Sequence, residues 1–274
     1  MTSVGPVLLT GGSGRLGREL QSELPRLGVD RVLAPSSGEL DVTDAAGVRA
    51  YASDAHPRLI VHAAAFTDVA GAESQRAACW QVNVEGTRNL VATAREVGAR
   101  LLFISTDYVY YGDQAPTGAD ADSGSADRSE HTGAGYREDD TPGPVRNYYS
   151  LTKLVAEEAV RSYERSLVLR TSVRPREWPY PQAFDDLFTS QDYVDVIAPL
   201  VAEVVHRFDI DQVPFPTLHV ATERKSVFEL ASRRSPGVAR ASRASAGVEL
   251  PADVSLNTDR WQALRRRWAA DEGD

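Results

Sequence analysis

The 274-residue sequence has little cysteine, little lysine and no long apolar run. Its single cysteine, Cys79, excludes an intrachain disulfide and removes any indication of an oxidising compartment. No apolar stretch approaches the ~20 residues that a transmembrane helix needs. Residues 1–9 also lack the basic start of a signal peptide. These absences predict a cytoplasmic protein that does not enter a membrane.

The chain also lacks a surplus of basic residues. Its 30 lysines and arginines face 39 aspartates and glutamates, which gives a net charge of −9. Nucleic-acid-binding proteins typically carry a clustered basic face, so this balance argues against a nucleic-acid partner. A hydrophobic content of 42% with 25% charged residues is typical of a globular chain. The composition therefore leaves a small-molecule substrate as the expected partner.

Short apolar runs alternate with helical patterns through the first half of the chain. The runs that predict strands lie at 7–9, 31–34, 59–61, 101–105 and 166–169. The patterns that predict helices in this half lie at 16–27, 77–97 and 150–163. Strands and helices that alternate in this way form a parallel sheet with helices on both faces. The sequence therefore predicts an α/β fold with a doubly wound parallel sheet of the Rossmann type.

Two stretches depart from this alternation. Residues 113–135 contain no aromatic residue and no aliphatic residue larger than alanine, so they predict a mobile insertion, either a solvated linker or a lid. After residue 172 the chain is punctuated by prolines and ends in an amphipathic helix at 259–268, which we expect to dock on its own domain. The sequence thus predicts a dinucleotide-binding domain at 1–172 and a smaller, irregular substrate-binding lobe at 173–274.

A glycine-rich loop at 10–17 separates the first predicted strand from the first predicted helix. Gly11, Gly14 and Gly17 recur at intervals of three residues. This spacing allows a tight turn, a close approach of the backbone to a pyrophosphate, and close packing of the helix on the strand. Its place between strand and helix makes the motif specific for a dinucleotide site.

The end of the second predicted strand bears on which dinucleotide binds. NAD sites usually carry an acidic residue there for the adenosine ribose, but residues 35–38 (PSSG) contain none before Glu39. Serine hydroxyls together with Arg15 or Arg31 suit a 2′-phosphate better, so the sequence favours NADP and leaves NAD as the alternative. Residues 41–42, an acidic and an apolar side chain, are predicted to bracket the adenine.

Three polar residues have the pattern of a proton-transfer site. Tyr149 and Lys153 are one helical turn apart and lie on one face. A phenol titrates near pH ~10 by itself, and a nearby ammonium together with a cationic nicotinamide is expected to lower that value. Thr106 ends the fourth predicted strand, where its hydroxyl is placed to bind a substrate oxygen.

Motifs from residue 5 to residue 172 are similar to those of a known family. They are TGGSGRLGREL at 10–20, ELDVTD at 39–44, RLIVHAAAFTDVAGAE at 58–73, VNVEGTRNL at 82–90, FISTDYVYYGD at 103–113, YREDDTPGP at 136–144 and NYYSLTKLVAEE at 147–158. The chain resembles the extended short-chain dehydrogenase/reductases, most closely their dTDP-4-dehydrorhamnose reductase branch. The resemblance implies NAD(P)H-dependent hydride transfer to a keto group on a nucleotide-linked deoxysugar. Relatives are often dimers, which implies a possible homodimer.

The resemblance also implies roles for individual residues. Thr106, Tyr149 and Lys153 form the catalytic set, in which Tyr149 donates the proton and Lys153 also holds the nicotinamide ribose. Asn83 occupies a position where relatives keep an asparagine for the architecture of the site. No metal is expected. The other residues that would line the cofactor are Gly11, Ser13, Gly14, Arg15, Leu16, Gly17, Asp41, Val42, Ala63, Ala64 and Ala65.

Departures from the motifs leave the substrate open. Related dehydratases look like Ser-Thr-Asp-Glu where this chain has STDY at 105–108; it keeps Asp107 as a substrate-binding candidate but lacks the glutamate, which favours a reductase. After Ser172 the usual aromatic residue is missing. Arg174 and Arg176 there either clamp a diphosphate or are solvated. The alternatives are a reductase of a non-sugar ketone, an epimerase, and a regulatory subunit similar to the β subunit of methionine adenosyltransferase.

Overall fold

The structure is a computed structural model that describes residues 5–111, 135–246 and 250–271. Its strands are β1 (Val7–Thr10), β2 (Val32–Leu33), β3 (Leu59–His62), β4 (Arg100–Thr106), β5 (Ser166–Thr171), β6 (Val173–Arg174), β7 (Gln182–Phe184), β8 (Phe188–Thr189), β9 (Asp192–Tyr193), β10 (Thr217–His219), β11 (Lys225–Ser226) and β12 (Ala239–Ala241). Its helices are α1 (Arg15–Glu23), α2 (Ala45–Ala55), α3 (Val69–Ser74), α4 (Arg76–Trp80), α5 (Gly86–Val97), α6 (Tyr148–Arg161), α7 (Val194–Asp209), α8 (Val227–Ser232) and α9 (Asp259–Asp271). Within the described residues no helix combines the length and the apolar character that a membrane crossing requires.

Six parallel strands form the central sheet in the order β10-β5-β4-β3-β1-β2. The chain first moves from β1 outward to β2 and then crosses to the opposite side of β1 to form β3. In such sheets the crevice for ligands lies at the carboxyl ends of the strands where the order reverses, here between β1 and β3. The predicted doubly wound α/β fold is confirmed.

Helices cover both faces of the sheet because alternate side chains of a strand point in opposite directions. Leu9 and Val61 pack on one face with residues of α1, α7 and α9. Leu8 and Ile60 pack on the other face with residues of α2, α5 and α6. The hydrophobic core therefore consists of two layers, with the sheet between them.

Two predicted helices end or break at specific residues. The first continues beyond α1 as a 3₁₀ turn at Leu24–Leu27, which begins around Pro25. The helix predicted at 77–97 is divided into α4 and α5 by a π-helical turn at Gln81–Glu85. Such turns frequently occur at functional sites, and this one carries Asn83.

The sheet takes its sixth strand from beyond residue 172. Strand β10 and helices α7 and α9 belong to the sheet and its covering layer, so the predicted dinucleotide-binding domain at 1–172 omits part of its own core. The three-residue β10 is too short for a sequence pattern to predict. The amphipathic helix predicted at 259–268 is confirmed as α9, docked on its own domain. The predicted insertion at 113–135 lies outside the described residues, apart from Gly135.

Candidate active site

The glycine loop lies at the carboxyl end of β1, where the strand order reverses. Gly11 has a φ of 74°, and a Cβ there would lie 2.5 Å from the backbone nitrogen of Ala64. A Cβ on Gly17 would collide with the carbonyl oxygen of Gly11. Gly14 caps α1 without a side-chain hydrogen bond, so the first amides of this helix are open to an anion. These three glycines have the roles that a pyrophosphate-binding loop requires.

The other predicted cofactor residues differ in what they expose. Ser13 and Arg15 are exposed, whereas the side chain of Leu16 is buried in the core and leaves only its backbone for a ligand. Ala63, Ala64 and Ala65 are half-buried directly after β3. This part of the chain is tied to β1, since the Ala63 amide donates to the carbonyl of Thr10 at 3.2 Å.

Val42 is held by helix α5, and Asp41 is held by Thr43. The Val42 carbonyl accepts a hydrogen bond from Asn89 Nδ2 at 3.0 Å, and Val42 Cγ2 would lie 2.8 Å from a Cβ at Gly86. The Asp41 side chain is exposed and accepts from the amide and hydroxyl of Thr43. These contacts leave the Asp41 carboxylate accessible to solvent.

The serine-rich segment after β2 folds back on the first acidic residue that follows it. Both the amide and the hydroxyl of Ser36 donate to Glu39 Oε2, each at 2.8 Å. These two hydrogen bonds lower the pKa of the Glu39 carboxyl. The Ser36 hydroxyl, which the sequence predicts to bind a 2′-phosphate, is therefore bonded to the Glu39 carboxylate in this structure.

The three candidate catalytic residues meet at the carboxyl end of β4. Thr106 is the last residue of that strand, and Tyr149 lies in the first turn of α6, which Asn147 caps by accepting from the Ser150 amide at 2.7 Å. Thr106 Oγ1 donates to Asp107 Oδ1 at 3.1 Å. Burial and then the charge of Asp107 raise the pKa of Tyr149, while a hydrogen bond with Thr106 opposes that rise. The site holds Tyr149 as a phenol with a proton to donate.

Lys153 is buried on α6, one turn after Tyr149. Its Nζ donates to the carbonyl of Ile104 at 2.8 Å and lies 3.9 Å from the ring centroid of Phe103. Burial lowers the pKa of Lys153 to about 7, against the opposing charge of Glu157. Among the protein's own groups, burial dominates the pKa of both Tyr149 and Lys153, and the lowering expected from the ammonium together with a nicotinamide stays a prediction.

Asp107 and Arg174 lie near each other beside the catalytic set. Burial raises the pKa of Asp107 to about 6, while Thr106, Ser172 and Arg174 oppose the rise. Arg176 behaves differently, because its exposed guanidinium forms a bidentate ion pair with Glu19. The two arginines that the sequence considered together are therefore separated by the fold: Arg174 is at the site, and Arg176 is in a surface ion pair.

Asn83 supports the site through hydrogen bonds to two neighbouring segments. Its Oδ1 accepts from the Phe66 amide at 2.8 Å, and its Nδ2 donates to Thr152 Oγ1 at 3.0 Å. Thr152 in turn donates to the carbonyl of Tyr149 at 2.7 Å. Asn83 thereby links the segment after β3 to the first turn of α6, in agreement with the architectural role that the resemblance implies.

A buried polar network that the sequence did not predict lies behind Lys153. Glu157 accepts from Ser105 Oγ at 2.6 Å and from two nitrogens of Arg170 at 2.9 and 2.7 Å. Arg170 also donates to Tyr110 Oη at 2.5 Å. One signal was available: Arg170 interrupts an apolar strand, and a charge there must find a buried partner. The network ties β4, β5 and α6 together behind the catalytic residues.

Comparisons with known proteins agree with this geometry. The family model described as the RmlD substrate binding domain matches residues 5–235. A dTDP-4-dehydrorhamnose reductase of Streptomyces griseus is 44% identical over 153 residues, covering 56% of this chain and 44% of the relative. One from Mycobacterium tuberculosis H37Rv is 33% identical over 229 residues, covering 82% and 65%. The β subunit of methionine adenosyltransferase 2 from Xenopus tropicalis is 35% identical over 173 residues, covering 61% and 46%.

A solved structure is similar over nearly the whole fold. The dTDP-4-dehydrorhamnose reductase of Bacillus anthracis, in complex with NADP, has a TM-score of 0.77 and 25% identity, with 95% of this chain and 92% of that chain covered. The matched region spans less than two thirds of the length of each of the three curated relatives. Since the family model covers most of the sequence, the chain belongs to the RmlD substrate-binding domain family.

Proposed function

We propose that this chain is an NAD(P)H-dependent reductase of a keto group on a nucleotide-linked deoxysugar of the dTDP-4-keto-6-deoxyhexose type. The observation that carries the proposal is the grouping of Thr106, Tyr149 and Lys153 at the carboxyl end of β4. This grouping lies at the same edge of the sheet as the glycine loop. The names of the reductase relatives, which share 33–44% identity with this chain, support the same activity.

The residues present fit a nicotinamide dinucleotide. Side chains at Gly11 and Gly17 would fill the space against the neighbouring backbone, and the uncapped start of α1 suits a pyrophosphate. Arg15 and the segment around Ser36 and Glu39 would face the adenosine end, and Lys153 would hold the nicotinamide ribose. When bound in its reduced form, the dinucleotide supplies a hydride. The solved structure of the Bacillus anthracis relative with NADP supports this cofactor.

The protein side of the reaction uses two hydroxyl groups. The Thr106 hydroxyl binds the carbonyl oxygen of the substrate, which polarises the carbonyl. Tyr149 Oη then gives its proton to that oxygen as it becomes an alcohol. Burial keeps Tyr149 protonated before this step, and Asp107 is placed to hold a neighbouring hydroxyl of the substrate. The buried position of Tyr149, which is 8% exposed, excludes bulk water from the transfer.

The irregular segments after residue 172 are proposed to bind the substrate. Strand pairs β6–β9, β7–β12 and β8–β11 lie outside the central sheet, and β6 carries Arg174. We therefore keep the substrate-binding lobe within 173–274 as a proposal, without β10, α7 and α9. A homodimer and a cytoplasmic location remain predictions, which light scattering and cell fractionation would check.

The deciding experiment is oxidation of NADPH and NADH by the purified protein, with and without a dTDP-4-keto-6-deoxyhexose. We expect ketone-dependent loss of the reduced dinucleotide, and a faster reaction with one of the two would establish which is preferred. The Tyr149→Phe variant is the control for adventitious reduction. Tight dinucleotide binding without turnover of this ketone would refute the proposed substrate and direct the search to non-sugar ketones.

A regulatory subunit is a second candidate because of one specific similarity. The chain shares 35% identity over 173 residues with the β subunit of methionine adenosyltransferase 2. Its altered segment after Ser172 also departs from the pattern expected of the reductases. In this alternative the chain binds a dinucleotide and modulates a partner enzyme. Co-purification of a stoichiometric enzyme partner, with no turnover of any ketone, would favour it over the reductase.

A further inference from the structure

Arg174 is a half-buried cation that has no hydrogen bond or ion pair among the described residues. Its Nε is buried without a partner. A buried donor without an acceptor destabilises the folded chain. Other buried or half-buried arginines of this chain, such as Arg58 and Arg170, have carboxylate partners at 2.7 Å. The unpaired guanidinium of Arg174 therefore indicates an acceptor that the protein itself does not provide.

The neighbours of Arg174 lie on two sides. On one side they lead to Tyr149, and on the other side they lead to the protein surface. It interacts electrostatically with Asp107 and Tyr108. The ring of Tyr108 lies 6.3 Å from that of Tyr149 in an edge-on arrangement. The guanidinium carbon of Arg174 is also 5.5 Å from the ring centroid of Trp178.

Trp178 is buried and packs against one exposed aromatic ring. Its ring lies 5.5 Å from that of Tyr180, which is 54% exposed, compared with 8% for Tyr149. The series of neighbours is thus a buried reacting group, a half-buried cation, the buried ring of Trp178, which is 9% exposed, and the exposed ring of Tyr180. A ligand that follows it presents a small neutral group at the inner end, an anion in the middle and a planar group at the outer end.

We infer that Arg174, which lies against the buried Trp178 ring, binds the diphosphate of a nucleotide-linked substrate and that the exposed Tyr180 ring receives its nucleobase, an inference that rests on the proposed reductase function. A guanidinium binds phosphate oxygens in a bidentate manner and stacks well on an aromatic face. Rings of this kind provide flat surfaces for a base. The three side chains together determine which class of ketone the site accepts.

Asp107 orients the bound substrate. Its carboxyl accepts from Thr106 at 3.1 Å, so it lies next to the place where the carbonyl oxygen binds. A negative group there disfavours an anion at the reacting position and leaves Arg174 as the favourable place for it. The neutral sugar is thereby directed toward Tyr149, and the diphosphate is directed away from it.

Arg176 does not share this role. Its guanidinium is engaged by Glu19 through contacts of 2.7, 2.9 and 3.0 Å, and it is further neutralised by Asp195 at 3.9 Å. A diphosphate would have to displace this pair. Arg176 therefore provides a matched control at a distance of two residues in the sequence.

The test measures binding by calorimetry, with the dinucleotide site occupied by NADP⁺ so that the probe cannot bind the glycine loop. The probes are dTDP and thymidine, which differ only in the diphosphate. We expect Arg174→Met to weaken dTDP binding by about tenfold or more, the equivalent of one lost charge-assisted hydrogen-bond pair. Thymidine binding should not change. Arg176→Met should change dTDP affinity by less than about twofold, because an exposed ion pair contributes little.

Folding of the variants is checked by their thermal unfolding and by their NADP⁺ affinity. Arg174→Lys is the second variant; it keeps the charge but not the planar fork and should bind dTDP with intermediate affinity. Unchanged dTDP affinity in Arg174→Met, or an equal loss in Arg176→Met, would overturn the inference. If Arg174→Met loses dTDP binding but the wild type reduces no ketone, the diphosphate site stands and the proposed reaction is refuted. If the wild type reduces the ketone but Arg174→Met binds dTDP as tightly as the wild type, the proposed reaction stands and the diphosphate site is refuted.

Discussion

At the scale of single residues, burial moves the pKa values of two neighbours on one helix in opposite directions. It raises the pKa of Tyr149 and lowers the pKa of Lys153 to about 7. The physical cause is the same, because a low-dielectric environment disfavours the charged form of each group. The phenol therefore keeps its proton through neutral pH, while the lysine changes its charge near neutral pH.

Replacement of Tyr149 by Phe removes the proton donor and leaves the ring in place. We expect turnover to fall by about 10²–10⁴-fold or more, the usual contribution of a positioned acid, with dinucleotide affinity unchanged. Steady-state kinetics and a binding titration check this. The neighbouring Tyr148→Phe variant is the control and should keep its activity. Near-normal turnover in Tyr149→Phe would refute the catalytic assignment.

The pH dependence of cofactor capture is predicted from Lys153. Its pKa of about 7 lies below the ordinary value of 10.5, so the ammonium is present below about 7 and is lost as the pH rises through that value. Since the ammonium is proposed to hold the nicotinamide ribose, kcat/KM for the preferred reduced dinucleotide should fall as the pH rises through about 7. The Asp107→Asn variant should show the same fall in kcat/KM with rising pH. A flat profile through neutral pH would contradict the assignment.

At the scale of elements, the glycine loop shows how local sequence determines local structure. Gly17 lies inside α1, where a Cβ would collide with the Gly11 carbonyl oxygen. The three-residue spacing of the glycines already predicted this close packing of α1 on β1. The loop could be predicted because every interaction that shapes it lies within about ten residues or in an adjacent strand.

Gly17→Ala tests this packing. We expect it to lower the free energy of unfolding by about 1–3 kcal/mol, the usual effect of overpacking, and to weaken dinucleotide binding. Denaturant unfolding and a binding titration measure the two effects. Gly237→Ala is the matched control, since no neighbouring heavy atom lies within 4 Å of its Cβ. Equal stability of both variants would show that the loop tolerates a side chain.

Helix α6 offers a second matched comparison, in two adjacent glutamates. Glu157 is fully buried and paired with Arg170, whereas Glu158 is 68% exposed. Glu157→Gln leaves Arg170 without its counter-charge, and we expect a loss of about 3–5 kcal/mol in the free energy of unfolding. Glu158→Gln should leave the unfolding curve unchanged. A Glu157→Gln protein as stable as the wild type would show that the buried pair contributes no net stability.

At the scale of the whole molecule, residues from the far end of the chain complete the first domain. Trp261 of α9 is fully buried in the same cluster as Leu9 and Val61 of the central sheet. The apolar face of α9 could be predicted from its own sequence, because the spacing of its tryptophans and leucine follows the helical period. Its position against β10 and α7 depends on contacts across more than half of the chain.

Trp261→Ala removes the largest of the fully buried side chains. We expect it to lower the free energy of unfolding by about 3–5 kcal/mol, as large-to-small core substitutions do, and to reduce the unfolding temperature of the whole fold in one transition. Arg266→Ala, on the exposed face of the same helix, is the control. Calorimetry compares them. A separate, early transition in Trp261→Ala would show that α9 unfolds independently of the sheet.

The identity of the catalytic residues could be predicted from the sequence, but their pKa values could not. Thr106, Tyr149 and Lys153 follow from strand ends and helix spacing, which are local properties. The pKa values of these groups depend on burial, and burial is produced by residues distant in the sequence, such as Asp107 relative to Tyr149. Burial therefore raises the pKa of the phenol in the folded chain, and the lowering expected from the ammonium together with a bound nicotinamide stays a prediction.

The sequence alone determined the alternating α/β order, the parallel sheet, the glycine loop and the residues that carry the chemistry. These properties depend on short-range periodicity and on the stereochemistry of glycine, and both are determined by residues that are close together in the sequence. Only the tertiary structure decided that β10 completes the sheet, that Glu157 pairs with Arg170, and that Arg174 is left unpaired while Arg176 is not. The reason is that the pairing and burial of charges depend on which distant segments become neighbours, and only the folded chain establishes that.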